Sequence, residues 1–289
     1  MSELSMHGFA LVLVLAAAFM HATWNFLAKR TRGGAAVVWL YDVVSIIIYA
    51  PLALVILLQH LHFTLVQLAL IFSSGCIHLV YFLLLQRGYR VGDLSVVYPL
   101  ARGTGPLLSS ITAILLFGER PALVAFLGIL LVVVGIFLIT GGTVMLSASR
   151  FHAGVLYGLL TGVCIATYTL VDKQAVSALL IAPVLLYYSD LMIHVGLLAP
   201  YAVYNWSEVS REWNRHRFEV IGIAILGPLS YFIILSVLVF TPVSYVAPMR
   251  EVSVLIGTLM GTRFLAEGNT RRRLLAACVM VAGIIALAV

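Results

Sequence analysis

The chain has 289 residues, of which 63% are apolar and 10% charged, with a formal net charge of +6 and a mean hydropathy of +1.11. A soluble domain carries roughly 25% charged residues, so this composition excludes a water-soluble enzyme or binding module and predicts an integral membrane protein. The basic residues sit singly or in threes between apolar runs and form no continuous face. Nucleic acid is therefore not an expected partner.

Apolar stretches long enough to cross about 30 Å of hydrocarbon as helix occur ten times, near residues 8–28, 36–58, 65–86, 94–117, 121–141, 153–172, 179–204, 218–240, 244–265 and 271–289. Their unbroken apolar character predicts an all-α protein and excludes a barrel, whose strands would alternate. The first stretch ends in Ala22-Thr23-Trp24-Asn25, which is no small-residue cleavage site, so it is expected in the mature protein. Asp42 and Asp190 fall at matching places in the second and seventh stretches, deep enough for a coupling role or shallow enough for the headgroups. The fourth carries Pro99 and Arg102, and the ninth Pro248, Arg250 and Glu251. Gly154, Gly158 and Gly162 form a small-residue stripe in the sixth that suits close helix packing, or dimerisation. The longest connection, about 205–217, is expected to be a loop.

Residues 92–138 are echoed by 241–287. Gly92-Asp93-Leu94-Ser95-Val96-Val97-Tyr98-Pro99-Leu100-Ala101-Arg102 returns as Thr241-Pro242-Val243-Ser244-Tyr245-Val246-Ala247-Pro248-Met249-Arg250, and Glu119 and Glu267 follow their arginines at the same interval. Fainter matches join Ala22–Lys29 to Ala166–Lys173, Asp42 to Asp190, and Tyr81-Phe82 to Tyr231-Phe232. The chain reads as a tandem duplication, with a first repeat over residues 1–145 and a second over 150–289. Five spans per copy is an odd number, so the second copy enters the membrane from the opposite face. Such inverted repeats place a substrate site near the bilayer midplane at their interface.

Twelve Lys and Arg residues lie in the odd-numbered loops, against Arg120 and Lys173 in the even-numbered ones. The positive-inside rule then puts the odd loops in the cytoplasm and both termini outside. Charges at bilayer depth cost at least about 2.5 to 3.5 kcal/mol and persist only beside a partner or an aqueous cavity. Arg102, Arg250 and Glu251 therefore form either an ion pair that locks the copies together or a site for a solute or proton. Pro99 and Pro248 interrupt equivalent helices and are candidate hinges. Tyr98 and Tyr245, just before these prolines, are candidate cavity liners, as are Trp24, Asn25, Tyr81, Tyr168 and Tyr231. Glu251, Asp42, Asp190 and His21 are candidates for coupling. His78 and His194 read as packed histidines. No Cys or His spacing suits a metal, and no cofactor motif is present.

The Ala22-Thr23-Trp24-Asn25-Phe26 segment, the run Val97-Tyr98-Pro99-Leu100-Ala101-Arg102-Gly103, and Leu116-Phe117-Gly118-Glu119-Arg120-Pro121, set in two five-helix copies, closely resemble the EamA family of the drug/metabolite transporter superfamily. The resemblance covers nearly the whole chain. It implies a secondary transporter for a small metabolite, with a central cavity lined by both copies. Two departures stand out. The second copy has Ala266-Glu267-Gly268 where the family has Gly-Glu, and the charge bias is opposite to the family's cytoplasmic termini. Two arginines against one acid point to an anionic or zwitterionic solute such as an amino acid, moved by alternating access across the cell (inner or plasma) membrane. The expected partners are that solute and the lipid bilayer, with the chain a monomer or a homodimer. An intramembrane enzyme or a non-transporting scaffold is the alternative; no HExxH, GxSxG or nucleotide motif supports an enzyme.

Overall fold

In the computed structural model, the described residues are 3–31, 34–59, 62–91, 94–140, 150–256 and 270–288. Their α-helices include α1 Glu3–Thr31, α2 Ala35–Gln59, α3 Leu65–Val91, α4 Leu94–Phe117, α5 Leu123–Thr140, α6 Arg150–Lys173, α7 Pro183–Tyr204, α8 Trp206–Phe240, α9 Val243–Arg250 and α10 Thr270–Ala288. Among the described residues, seven helices are long and apolar enough to cross a membrane, and two shorter apolar helices, Leu123–Leu138 and Cys278–Leu287, accompany them. The protein is a multi-pass integral membrane protein. Helix is the one solution that satisfies every backbone N–H and C=O within a lipid-facing segment.

Most helices follow the apolar stretches; the ninth, 244–265, is helical over 243–250 and 252–256 about a turn at Glu251, and its residues 257–265 lie outside the described residues. Two further stretches differ. Residues 205–217, expected as a loop, are largely helical. α8 begins at Trp206 and passes through a kink at His216, where φ is −129° and ψ is 23°. Glu208, Glu212 and Glu219 there alternate with Arg211, Arg215 and Arg217, and His216 lies 3.9 Å from Glu212 and 4.0 Å from Glu219. A charged segment of this kind stays helical outside the apolar span because i,i+3 and i,i+4 pairs support it. The seventh span starts at Pro183 rather than 179, because α6 runs on into a single π-helical turn over Gln174–Ala178 and the chain then turns at Leu180, whose φ is 54°.

The chain divides into two compact units. One comprises residues 1–15, 77–170 and 240–289, the other 16–76 and 171–239, so each draws on both sequence repeats. In the first unit α10 lies along α5, and α4 packs on both α5 and α9. Small residues set these approaches. A Cβ at Gly128 would lie 2.7 Å from the Gly283 carbonyl oxygen, and one at Gly158 2.8 Å from Leu100 Cβ. At Gly162 it would collide with Thr104. The Gly158 and Gly162 faces of the small-residue stripe are thus covered by α4 of the same chain. In the second unit α2 packs along α7, and Ala36, Val37 and Leu40 form a cluster with Ala202, Val209 and Val220.

Candidate functional site

Two polar centres lie inside these units, and residues of both repeats build each. In the first unit α4 carries Arg102 and the α9 segment carries Arg250 and Glu251. α9 ends at Arg250; Glu251 is a turn residue with φ −70° and ψ −6°, and helix resumes at 252–256. Pro248, inside α9, has no N–H for the helix ladder and so leaves the Ser244 carbonyl one turn earlier without its ladder donor. Three-residue bonds take over, from Glu251 N–H to the Pro248 carbonyl at 3.0 Å and from Val254 N–H to the Glu251 carbonyl at 2.9 Å.

This break places Glu251, fully buried, between two guanidinium groups. Its Oε2 is 3.0 Å from Arg102 Nε, and its Oε1 is 3.9 Å from Arg250 Nε. Arg102 Nη2 also donates to Ser253 Oγ at 3.3 Å, and Arg250 Nη2 to Tyr168 Oη at 3.3 Å. The Arg250 guanidinium lies 5.9 Å from the Tyr168 ring centre, which stacks on His78 at 4.0 Å and meets Tyr81 edge-on at 5.7 Å. A guanidinium over an aromatic face is attracted by the ring's negative surface. Arg102, Arg250, Glu251, Tyr81 and Tyr168 thus come together as one centre, to which the structure adds His78 and Ser253.

The second unit holds the other centre. Asp42 on α2, Ser74 on α3, Asp172 on α6, and Asp190 and His194 on α7 are all buried or nearly so. Ser74 Oγ is 2.6 Å from Asp172 Oδ1 and 3.1 Å from Asp190 Oδ2. Tyr231 donates its hydroxyl to Asp172 Oδ2, and His194 Nδ1 faces Asp42 Oδ2 at 3.5 Å. Asp42 and Asp190 are 2% and 0% exposed, enclosed by the helices of their own unit. Trp24 donates its indole N–H to His21 Nδ1 at 3.2 Å, while Asn25 turns to its own helix and donates to the His21 carbonyl at 2.7 Å. Trp24 lines a cavity of about 40 Å³ together with Tyr41, Asp42, Ser45 and Tyr187.

Of the remaining candidates, Tyr245 is half-buried on α9 and Pro248 is buried there. The side chains of Tyr98 and Pro99, and the whole of Glu267, lie outside the described residues. Glu119 sits just beyond α4, after Gly118, whose φ is +66°. Its two carboxylate oxygens accept the N–H groups of Val243 and Ser244 at 2.8 and 2.9 Å.

A family model for the EamA-like transporter family matches residues 8–141 and 152–289. The chain belongs to the EamA-like transporter family. This places it in the drug/metabolite transporter superfamily, whose EamA members are membrane transporters. The two matched segments agree with the internal repeat, and the Gly118-Glu119 motif that suggested the family is the cap on α9. One solved crystal structure superposes with a TM-score of 0.77 at 16% identity, over 96% of each chain, which shows a shared fold. Comparison with curated proteins gave no significant match.

Sequence reasoning passed over Ser74, Asp172, His78, His194 and Ser253 as site residues. Matching one repeat to the other finds residues that recur, and Asp172 stands opposite Ala28 in that alignment. The signal that was present is cost: an aspartate, two serines and two histidines inside apolar stretches each require a partner.

Proposed function

We propose that this EamA-like protein is a secondary transporter that moves a small polar solute with a carboxylate or other anionic group, such as an amino acid, by alternating access across the cell membrane. The observation that carries this reading is Glu251 held between Arg102 and Arg250, buried on equivalent segments of the two repeats. A buried carboxylate shared by two guanidinium groups is a site that a substrate carboxylate can compete for. Arginine's planar fork pairs with such groups in a bidentate fashion, and Tyr168, Tyr81 and His78 offer hydroxyl and ring contacts beside it.

The architecture proposed for this activity is ten membrane-crossing helices in two inverted five-helix repeats, with the odd loops in the cytoplasm and both termini outside. Pro99 and Pro248 serve as hinges, and the helix break at Glu251 supports motion there. Interrupted helices that present their ends and polar groups to a midplane site recur in transporters. Exchange of Glu251 for substrate at the arginines gives the cycle its switch, and Glu251, Asp42, Asp190 and His21 are the candidates for coupling.

The test is a thermal-shift screen of the purified protein with amino acids, polyamines, sugars and organic phosphates, followed by uptake of any hit into proteoliposomes. An anionic or zwitterionic hit is expected, with its shift lost in Arg102→Gln and Arg250→Gln variants that still elute as folded protein. Normal transport by both variants, or hits confined to cations and neutral sugars, would overturn the proposal.

A further inference from the structure

The aspartate centre of the second unit permits a count of its protons. Ser74 Oγ lies within hydrogen-bond distance of both Asp172 and Asp190, yet a serine hydroxyl has one proton to donate. Two carboxylates that share that one proton in a buried site repel each other, and a proton carried by one of them removes the repulsion and gives each contact its own hydrogen. Asp172 has the shorter contact, 2.6 Å, and a second donor in Tyr231. This makes Asp172 the better acceptor for the serine proton and Asp190, whose Oδ2 lies 3.1 Å from Ser74 Oγ, the carboxyl in place to carry the additional proton.

One turn along α7, His194 supports a second count. Its Nε2 is 3.2 Å from the Gly75 carbonyl oxygen, which can only accept, so Nε2 bears hydrogen. Nδ1 then faces Asp42 Oδ2 at 3.5 Å. Lone pair would oppose lone pair there unless a proton sits on one of them. The Asp42 Oδ2 atom is buried and makes no hydrogen bond among the described residues. The same carboxyl borders the cavity of about 40 Å³, which it shares with Ser45, Tyr41 and Tyr187. That space admits at least one water, independent of the serine bridge, and gives a proton a place to enter. The other charged group nearby in sequence, Lys173, donates its ammonium to the Leu238 carbonyl at 2.6 Å. Among the described residues, no three His, Cys, Asp or Glu side chains converge as metal ligands would.

We infer that this network is a proton-binding site, with Asp190 holding an exchangeable proton against Ser74 and Asp172 as the base that receives its equivalent. The transfer balances within the three residues: the Asp190 O–H bond breaks as Ser74 Oγ takes that proton, and the proton Ser74 already carried moves to Asp172 Oδ1. Asp190 becomes the carboxylate and Asp172 the acid, with no other reactant. The use of this proton to couple transport rests on the carrier reading above; its presence in the network does not.

Infrared spectroscopy of the purified protein in detergent at neutral pH, without solute, tests the site. Wild type minus Asp190→Asn is expected to show the carbonyl stretch of one protonated carboxylic acid, moving to lower frequency in D₂O. Ser74→Ala is expected to keep that band at a shifted frequency, because it removes the hydroxyl the acid donates to. A wild-type spectrum without a protonated carboxyl, or a band unchanged in Asp190→Asn, overturns the inference. Should Asp190→Asn fail to fold, an unshifted band in Ser74→Ala overturns it equally. Because no solute enters the measurement, a protein that shows the band but no shift with any compound in the thermal screen retains the proton site and loses the carrier reading.

Discussion

Glu119 Oε2 accepts the backbone N–H of Ser244 at 2.9 Å, while its Oε1 accepts that of Val243 at 2.8 Å. A residue at the end of α4 in the first repeat thereby caps the first turn of α9 in the second. The first N–H groups of a helix have no partner within it, and a carboxylate satisfies them while meeting the positive end of the helix dipole. Glu119→Ala is expected to lower stability by about 1 to 2 kcal/mol, with Glu119→Gln intermediate, measured by thermal unfolding in detergent. Equal stability of wild type and Glu119→Ala would show that the cap contributes nothing.

Gly118 aims that carboxylate. Its φ of +66° is a conformation that a side chain makes costly, although no heavy atom lies within 4 Å of the position a Cβ would take. Gly118→Ala should therefore cost about 1 to 2 kcal/mol through backbone strain alone. The Gly118→Asn variant should recover part of that loss, since asparagine tolerates the left-handed region.

The Arg102–Glu251 contact allows a mutant cycle. Glu251→Gln leaves two guanidinium groups without their shared carboxylate, and breaking a buried pair costs about 3 to 5 kcal/mol. The double variant Arg102→Gln/Glu251→Gln should unfold at a higher temperature than Glu251→Gln alone, because it removes the uncompensated charge. A double variant destabilised by the sum of the two single variants, Arg102→Gln and Glu251→Gln, would show that the two groups are energetically independent.

Gly162 and Gly196 provide a matched comparison on membrane helices. A Cβ at Gly162 would run into Thr104 and stand 3.3 Å from the Gly105 nitrogen, whereas one at Gly196 would meet nothing within 4 Å. Gly162→Ala should destabilise by about 1 to 3 kcal/mol through overpacking. Gly196→Ala should be neutral or slightly stabilising, as alanine is the better helix former. Unfolding of both variants in the same detergent decides the comparison.

Tyr168→Phe isolates one hydroxyl. The ring that stacks on His78 is retained, and the acceptor for Arg250 Nη2 is lost. A loss of about 1 kcal/mol in stability is expected, together with weaker binding of whatever carboxylate-bearing solute the thermal screen identifies. Unaltered affinity would place that solute away from Arg250.

Much of this molecule was legible in the residue order. Apolar runs about twenty residues long can satisfy their backbone in lipid only as helix, so the helical class and most helix positions followed from length and hydropathy. The recurrence of Tyr-Pro-Leu-Ala-Arg-Gly as Tyr-Val-Ala-Pro-Met-Arg-Glu revealed the repeat and singled out Arg102, Arg250 and Glu251, because a charge at that depth is expensive wherever it points. The helical course of 206–217 was hidden by its polarity: charge pairs along one helix substitute for an apolar face, and a hydropathy reading takes them for loop.

Partnership was decided by the tertiary structure. Which oxygen of Glu251 meets which guanidinium, and whether Ser74 on α3 stands between Asp172 on α6 and Asp190 on α7, depend on helix rotations of a few tens of degrees that side-chain packing sets. Ser74 and Asp172 are 98 positions apart, and neither has an equivalent in the other repeat. A linear pattern records which residues are costly to bury; only the packed helices bring together the groups that meet that cost.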